Sequence, residues 1–456
     1  MSANQTASGV QDDAYHKVRW SERIGYGFGD AASNLIFTGA ATFLTYYYTD
    51  VMGLAAGAIG TMMLIARILD AFLDVGVGAL VDKTKNKHGK ARPWLLWMMI
   101  PFAASGVLLF TFPDVGPGGA LVYAYVTYLL MNFIYSFINI PYGVLNSLVT
   151  QDGYQRSVLN IVRMLGALAG AIGVSFATQP LVKVFGGGEK GWILTFTIYG
   201  VLSLIMFFIT FKSTRERVKP SVSQKEIPFK QGLGALFRNK YWAIMLLFAV
   251  TVYTNYGMNG LNIYYAQYML NDAELLGLLS FAGLIPIAVG LFLIAPLIKK
   301  YGKRNVALVG SFIMILGSLV ILIDPTNVTF VIVGLVVKAL GMTPIMGTIF
   351  AMLADTVEYG EWKTGVRTEG LVYSAGSFGT KAGSGLGAAI IGWGLAIGGY
   401  IGGQETISSS ASSAIHFMFI YLPIILGILQ MVILYFHKLD KLYPQIVAEL
   451  KAVKKA

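Results

Sequence analysis

Long apolar stretches, separated by short polar segments, alternate along almost the whole chain. A helix needs about 20 mostly apolar residues to cross the hydrocarbon core of a bilayer. Measured against that length, the pattern predicts twelve membrane-spanning helices and therefore an all-α membrane protein. The predicted spans are 24–49, 53–82, 94–112, 118–149, 157–184, 192–211, 241–270, 275–298, 305–323, 327–353, 369–400 and 413–436.

The composition excludes most other classes of protein. Of the 456 residues, 12% are charged and 55% are hydrophobic, so a water-soluble chain would lack polar surface. The sequence contains no cysteine for disulfides or thiolate chemistry, and its four histidines pair with no carboxylate at catalytic spacing. A glycine-rich phosphate loop followed by lysine is also absent from it. We expect no enzyme and no cofactor.

The basic residues predict the orientation in the membrane. Of the 34 lysines and arginines, 28 fall on one predicted side, two (Lys183 and Lys190) on the other, and four inside spans. Because cytoplasmic loops retain positive charge, both termini and the central segment are predicted to be cytoplasmic. Short basic clusters between apolar runs do not suit nucleic acid as a partner. We expect a multi-pass protein of a bacterial inner or plasma membrane.

Two basic, glycine-containing loops recur at matching places in the chain. The loop after the second span ends in GKAR at 89–92, and the loop after the eighth span contains KKYGKR at 299–304. Two six-helix halves are the arrangement of the major facilitator fold. The predicted regions are a cytoplasmic segment 1–23, a six-helix bundle 24–211, a cytoplasmic linker 212–240, a second bundle 241–436 and a cytoplasmic tail 437–456.

Charged side chains inside the second span are candidates for function, because a charge is costly to bury in lipid. Arg67, Asp70 and Asp74 are three and four residues apart and project from one helical face. Two carboxylates one turn apart repel each other, and they relax by binding a proton, sharing a small cation or pairing with a basic group. Each option suits a coupling site. The alternative is a structural ion-pair cluster, although one arginine cannot neutralise two aspartates.

Polar side chains follow helical spacing on five other spans. The members are Asp30 and Asn34; Asn132, Tyr135, Ser136, Asn139 and Tyr142; Asn160 and Arg163; Asn255, Asn259 and Asn262; and Ser377, Lys381 and Ser384. Amides, hydroxyls and aromatic rings that converge on a cavity suit a sugar. Hydrogen bonding between helices is the alternative for each of them. Lys338 either lines such a cavity or extends its ammonium to an interface.

A charged segment follows the tenth predicted span. It reads ADTVEYGEWKTGVR at 354–367, and we interpret it as a loop. Salt bridges in this segment are predicted to close a cytoplasmic gate formed by Asp355, Glu358, Glu361 and Arg367. A solvated charged loop is the alternative.

Four motifs resemble one known family. The stretches ARILDAFLD at 66–74, NIPYG at 139–143, the charged segment 354–367 and TKAG at 380–383 resemble the glycoside–pentoside–hexuronide:cation symporters, which include melibiose permease. The resemblance covers roughly residues 20 to 440. Its details are closest to the branch that carries xylosides, β-glucosides and glucuronides.

The resemblance implies roles for individual residues. In melibiose-type members two aspartates hold the coupling cation and a hydroxyl assists, which are Asp70, Asp74 and Ser136 in this sequence. Leu73 replaces an asparagine that assists sodium binding, so a proton is favoured and sodium stays possible. A lysine that links the cation site to the sugar site corresponds to Lys381.

Two substitutions relative to melibiose permease concern the sugar. Asn34 and Asn139 stand where that protein has aspartates that recognise a galactoside, which argues against the same sugar. Together with the polar faces, the resemblance predicts a substrate site. Its predicted members are Asp30, Asn34, Arg67, Tyr135, Asn139, Tyr142, Arg163, Asn259 and Lys381.

The expected function is therefore transport. We expect cation-coupled symport of a glycoside such as a β-xyloside or β-glucoside, driven by H⁺ or by Na⁺. The alternatives are a glucuronide or hexuronide symporter of the same fold and a cation-coupled lysolipid transporter. The expected partners are a small-molecule glycoside and membrane lipid, and by analogy with the family the protein acts as a monomer.

Overall fold

The computed structural model describes residues 18–113, 115–218, 234–366, 369–404 and 406–455, and the elements in these ranges are helical. The first helices are α1 Trp20–Tyr46, α2 Ala56–Lys83, α3 Arg92–Leu108, α4 Gly116–Val149, α5 Gly153–Val184 and α6 Gly188–Ser213. They are followed by α7 Lys240–Gly257, α8 Leu261–Tyr268, α9 Leu276–Tyr301, α10 Lys303–Ile323, α11 Val328–Thr364, α12 Glu369–Ile397, α13 Ser409–His416, α14 Leu422–Phe436 and α15 Leu439–Lys455.

Several helices begin at a polar side chain that satisfies the first backbone N–H groups. Asp152 accepts a hydrogen bond from Gln155 N at 2.9 Å at the start of α5. Asn239 accepts one from Trp242 N at 3.0 Å at the start of α7. These caps fix where the helices begin after polar loops.

Four helical segments of the described residues deviate from regular α geometry, and one of them is the short 3₁₀ turn Ala273–Leu275 before α9. A π turn, Tyr47–Val51, continues α1, and another, Phe417–Tyr421, joins α13 to α14. A 3₁₀ turn, Met258–Gly260, separates α7 from α8. The seventh predicted span is therefore two helices with a break between them, and Asn255, Asn259 and Asn262 do not share one regular helical stripe as expected.

The chain divides into two compact units. The first unit is Met1–Leu54 with Leu69–Ser223, and the second is Ala55–Ile68 with Gln224–Ala456. The division falls inside α2, whose first part belongs with the second unit, where Trp393 Nε1 donates a hydrogen bond to Thr61 Oγ1 at 3.1 Å. The predicted bundle and linker boundaries stay predictions.

Small residues allow close helix packing inside each unit. In the first unit a Cβ on Gly166 of α5 would overlap the Gly27 carbonyl of α1. In the second unit, a Cβ on Gly310 of α10 would lie 2.6 Å from the carbonyl oxygen of Gly341 of α11. Glycines at such crossings are common in membrane helices, because they let backbones approach closely.

Eight helical segments of the described chain are long and apolar enough to cross a membrane, judged by length and composition. They coincide with eight of the predicted spans. At the third predicted span α3 has 17 residues, and at the seventh α7 has 18 before the 3₁₀ turn. Twelve spans, and cytoplasmic termini, stay predictions.

The prediction of a loop at 354–367 is wrong for most of its length. Helix α11 continues through this segment to Thr364. Its residues are mostly compatible with a helix, and the chain offers no proline to stop it there. The expectations for residues 1–17, for linker residues 219–233 and for Arg367 lie outside the described residues.

Candidate functional site

Two carboxylates of α2 meet one hydroxyl of α4 in the first unit. Ser136 Oγ lies 2.6 Å from Asp70 Oδ1 and 2.8 Å from Asp74 Oδ1. Asp70 and Ser136 are buried, whereas Asp74 is partly buried. Because Asp70 and Asp74 are four residues apart on α2, their side chains project from the same face of that helix and reach the same turn of α4. The structure therefore brings together the three residues predicted to hold the coupling ion.

The chemistry of this triad is restricted by proton counting. A serine hydroxyl has one hydrogen to donate, so it donates to a single carboxylate. The other short oxygen–oxygen contact is favourable when that carboxyl carries a proton and donates to the hydroxyl oxygen. A small cation shared by the oxygens also relieves the repulsion. The arrangement suits the binding of one positive charge.

A second cluster in the first unit pairs an aspartate with an arginine. Arg163 Nε of α5 donates to Asp30 Oδ2 of α1 at 2.8 Å, and both side chains are largely buried. The Arg163 guanidinium carbon also lies 4.9 Å from the centre of the Tyr142 ring. The ion pair and the ring together neutralise and orient the guanidinium.

Tyr26 completes this cluster, and it was not among the site residues predicted from the sequence. Its ring stacks on that of Tyr142 with centres 4.7 Å apart, and Tyr142 Oη donates to the Tyr26 carbonyl at 2.6 Å. A signal was available, because Tyr26, Asp30 and Asn34 recur every four residues along α1.

Three further predicted substrate residues lie in the first unit. Asn34 Nδ2 donates to the Asp30 carbonyl at 2.8 Å, and its Oδ1 accepts from Thr38 at 2.8 Å. The Tyr135 ring stacks on Phe37 with centres 4.4 Å apart. Asn139 Oδ1 is buried and accepts no hydrogen bond from the described residues. A buried acceptor of this kind is costly unless a ligand or water supplies a donor.

The remaining predicted substrate residues belong to the second unit. Asn259 is exposed on the 3₁₀ turn after α7. Lys381 is partly buried on α12, where its carbonyl accepts from Ser384 Oγ at 3.0 Å. Arg67 packs against α12, since a Cβ on Gly385 would lie 2.7 Å from Arg67 Cβ.

Three of the four predicted gate residues, Asp355, Glu358 and Glu361, lie on the last turns of α11. Asp355 is buried and accepts from Lys303 Nζ at 2.6 Å through both carboxylate oxygens. Glu358 and Glu361 are partly buried on the same helix. Lys303, the first residue of α10, was not predicted from the sequence as the partner of Asp355, because the spacing of charged residues along the chain does not reveal which charges meet.

Lys338 of α11 contacts the π turn between α13 and α14. Its Nζ lies 3.5 Å from the Phe419 carbonyl oxygen and 5.3 Å from the centre of the Phe419 ring. The Phe419 ring also stacks on the Tyr265 ring, with ring centres 3.7 Å apart. The ammonium is thus held by a carbonyl and a ring rather than by an acid among the described residues.

Comparison with known proteins places this arrangement in a family. The profile described as MFS/sugar transport protein matches residues 25–441. The isoprimeverose transporter of Lactiplantibacillus pentosus is 38% identical over 98% of this chain and 94% of its own length. The chain belongs to the glycoside–pentoside–hexuronide:cation symporter family of the major facilitator superfamily. The resemblance inferred from the four motifs is confirmed.

Other relatives of this symporter agree with that family. The glucuronide carrier protein homolog of Escherichia coli (strain K12) is 34% identical over 96% of this chain and 97% of its own length. Among solved structures, the nucleoside transporter NupG has a TM-score of 0.63 at 16% identity and covers 90% of this chain and 98% of its own. A bacterial homolog of the human lysosomal transporter Spinster has a TM-score of 0.67 at 13% identity, covering 96% and 98%. These two structures show the fold alone.

The family also defines the class of protein. The chain is a multi-pass membrane transporter and not an enzyme, in agreement with the prediction from composition. Its fold is the all-helical major facilitator type.

Proposed function

We propose that this symporter couples the inward movement of a neutral glycoside to the movement of one proton. Relatives named as sugar transporters or carriers support sugar symport as the general activity. In this proposal twelve helices span the membrane, both termini are cytoplasmic and the protein acts as a monomer. Asp70, Asp74 and Ser136 bind the coupling ion.

The geometry of Ser136 is the observation that supports a proton as the coupling ion. Its single hydroxyl hydrogen faces two carboxylate oxygens at 2.6 and 2.8 Å. A proton on one carboxyl turns both contacts into hydrogen bonds, with the hydroxyl as donor in one and acceptor in the other. The short distances favour a proton over a larger ion, which would need oxygens spread around it.

The residue between the aspartates supports the same ion. The side chain of Leu73 offers no oxygen to a metal ion, and the residue is 37% exposed. Sodium prefers several oxygen ligands, as hard cations do. Two carboxylates and one hydroxyl therefore suit a proton better than they suit sodium.

Charge balance at Arg163 supports a neutral sugar over a hexuronide. Its guanidinium is already neutralised by Asp30 at 2.8 Å and covered by the Tyr142 ring. A hexuronide carboxylate would have to displace that buried aspartate, which is costly. The neutral donors and acceptors of Asn34 and Asn139 suit sugar hydroxyls, and the Tyr135 and Tyr142 rings suit the apolar face of a pyranose.

The test is uptake of a labelled β-xyloside or β-glucoside by proteoliposomes under an imposed proton gradient or an imposed sodium gradient. We expect accumulation with the proton gradient alone. A matched control is Asp324→Asn, which changes an aspartate of the loop before α11 and leaves uptake unchanged. Accumulation driven by sodium alone would contradict the proton proposal, and accumulation of a glucuronide in preference to both glycosides would contradict the neutral sugar.

A further inference from the structure

In each unit the same set of contacts joins the ends of the third and sixth long helices. These helices are α3 and α6 in the first unit and α10 and α14 in the second. Each set of contacts consists of an arginine at the start of one helix and an acidic residue just past the end of the other. We call these pairs the first clasp (Arg92 and Glu216) and the second clasp (Arg304 and Asp440).

In the first clasp a carboxylate caps a helix that has no cap of its own. The residue before α3 is Ala91, whose side chain offers no hydrogen bond. Glu216 Oε1 accepts from Ala91 N and Arg92 N, and Oε2 accepts from Lys90 N, each at 2.9 Å. Carboxylates are favoured at helix N-termini, where backbone N–H groups lack partners.

The arginine of the first clasp completes the connection in the opposite direction. Arg92 Nη2 donates to the Phe211 carbonyl in the last turn of α6 at 2.7 Å. Basic side chains satisfy such terminal carbonyls. Glu22 also forms a two-bond ion pair with Arg217 at 2.9 Å, which fixes the segment after α6.

The second clasp repeats these contacts with fewer hydrogen bonds. Helix α10 follows Gly302 and has no side-chain cap of its own. Asp440 Oδ2 accepts from Arg304 N at 3.0 Å, while Arg304 donates to the carbonyls of Leu434 at 2.6 Å and Tyr435 at 3.1 Å near the end of α14. The carboxylate thus caps one backbone N–H instead of three.

A glycine precedes each capped helix for the same reason. Gly89 has φ +105° and Gly302 has φ +80°, a backbone region that other residues rarely adopt. A Cβ on Gly89 would overlap the Glu216 carboxylate, and one on Gly302 would lie 3.3 Å from Asp440 Oδ2. The repeated glycine and basic residues in the sequence are therefore parts of the clasps.

We infer that Glu216 and Asp440 are positioning residues, which hold the helix ends of each half together at the predicted cytoplasmic side during transport. The first clasp also fixes the loop that leads to α2, since Trp94 Nε1 donates to Thr84 Oγ1 at 3.0 Å just past α2. Loosening this clasp therefore loosens the connection between α2 and α3. The inference goes beyond the proposed function, because it does not depend on which ion or sugar is carried.

The experiment measures distances between spin labels, and the cysteine-free sequence needs no background mutations. Labels at the exposed positions Trp97 and Phe208 report on the clasped ends of α3 and α6. Labels at Leu108 and Leu194 report on the opposite ends of the same helices. In Glu216→Ala we expect the distance distribution of the first pair to become about two-fold wider, because an uncapped helix end frays. The second pair keeps its width.

Two variants control this experiment. Glu189→Ala removes a carboxylate that accepts from Phe112 N at 3.2 Å at the opposite ends of α3 and α6, so it leaves the clasped pair unchanged. Glu216→Gln keeps one acceptor oxygen but cannot accept from all three N–H groups, so it gives an intermediate width. If Glu216→Ala does not fold, Glu216→Gln carries the test.

Transport provides the second readout. In Glu216→Ala or Glu216→Gln we expect a lower maximal uptake rate and an unchanged half-saturating substrate concentration, because the binding residues are untouched. Asp440→Asn, with labels at Val309 and Val432, gives a smaller broadening because its carboxylate caps one N–H. Unchanged widths at the clasped ends in both Glu216 variants would overturn the inference.

Discussion

Buried charges are arranged differently in the two units. In the first unit they form tight groups, in which Asp70 and Asp74 share Ser136 and Asp30 pairs with Arg163. In the second unit Lys338 is held by the carbonyl and ring of Phe419. Both units nevertheless carry the same clasp between helix ends. The scaffold is thus repeated, whereas the two carboxylates that share one hydroxyl lie in the first unit and the buried Asp355 of the second unit is paired with Lys303 at 2.6 Å.

The largest expected effect is the loss of the coupling carboxylates. Asp70→Asn or Asp74→Asn removes the group that shares a proton with Ser136, so we expect uptake that no longer concentrates the sugar. Exchange of labelled for unlabelled sugar survives, because it needs no net proton movement. Both are measured in proteoliposomes. A double neutral variant that still concentrates sugar would show that the ion binds elsewhere.

The next largest effect comes from the ion pair in the same unit. Asp30→Asn leaves the Arg163 guanidinium buried beside a neutral amide, which costs about 3–5 kcal/mol. Joint replacement by Asp30→Asn and Arg163→Gln recovers part of that loss. Thermal unfolding of the purified protein in detergent measures both values. Equal destabilisation by the single and the double variant would contradict a direct interaction between the two side chains.

A smaller effect is expected at the amide with a buried, unsatisfied oxygen. Asn139→Ala removes a hydrogen bond to a sugar hydroxyl and lowers apparent affinity by about ten-fold, equivalent to about 1.4 kcal/mol. Asn305→Ala is the control, because this asparagine is exposed and its Nδ2 donates to the Tyr301 carbonyl at 3.1 Å. Concentration dependence of uptake distinguishes them. Equal affinities for the two variants would remove Asn139 from the substrate site.

The smallest effect is expected at the charge of the second unit. Lys338→Met removes an ammonium that no acid neutralises among the described residues and keeps most of the side-chain volume. Replacement of a buried charge by an apolar group is often neutral or stabilising. We therefore expect uptake close to that of the unmodified protein and an equal or higher unfolding temperature. Loss of concentrative uptake in this variant would mean that coupling chemistry extends into the second unit.

The sequence was sufficient for the family and for the triad. Carboxylates four residues apart must share a helical face, and four motifs identified the symporters, so Asp70, Asp74 and Ser136 were expected together. The same periodicity did not reveal which helix faces meet. Tyr26 contacts Tyr142 at a separation of 116 positions, and Lys303 contacts Asp355 at a separation of 52 positions. The periodicity within one helix does not predict contacts between residues so far apart.

Two errors have local physical causes. The charged segment 354–367 was predicted to be a loop because many of its residues are polar. Charged residues are nevertheless compatible with a helix whose end extends beyond the lipid. Asn259 was expected on a regular stripe, but the 3₁₀ turn Met258–Gly260 interrupts the helix there. The clasps were not predicted from the sequence, because in each of them the acidic residue is more than 120 positions from its partner.

The central claim is that one proton is shared by Asp70, Asp74 and Ser136. Infrared spectroscopy of the purified protein in sodium-free buffer near neutral pH tests it directly, through the carbonyl stretch of a protonated carboxyl group. We expect a band that is present in the unmodified protein, disappears in Asp70→Asn/Asp74→Asn and shifts in Ser136→Ala. A spectrum that is the same for the unmodified protein and the double variant would contradict the shared proton.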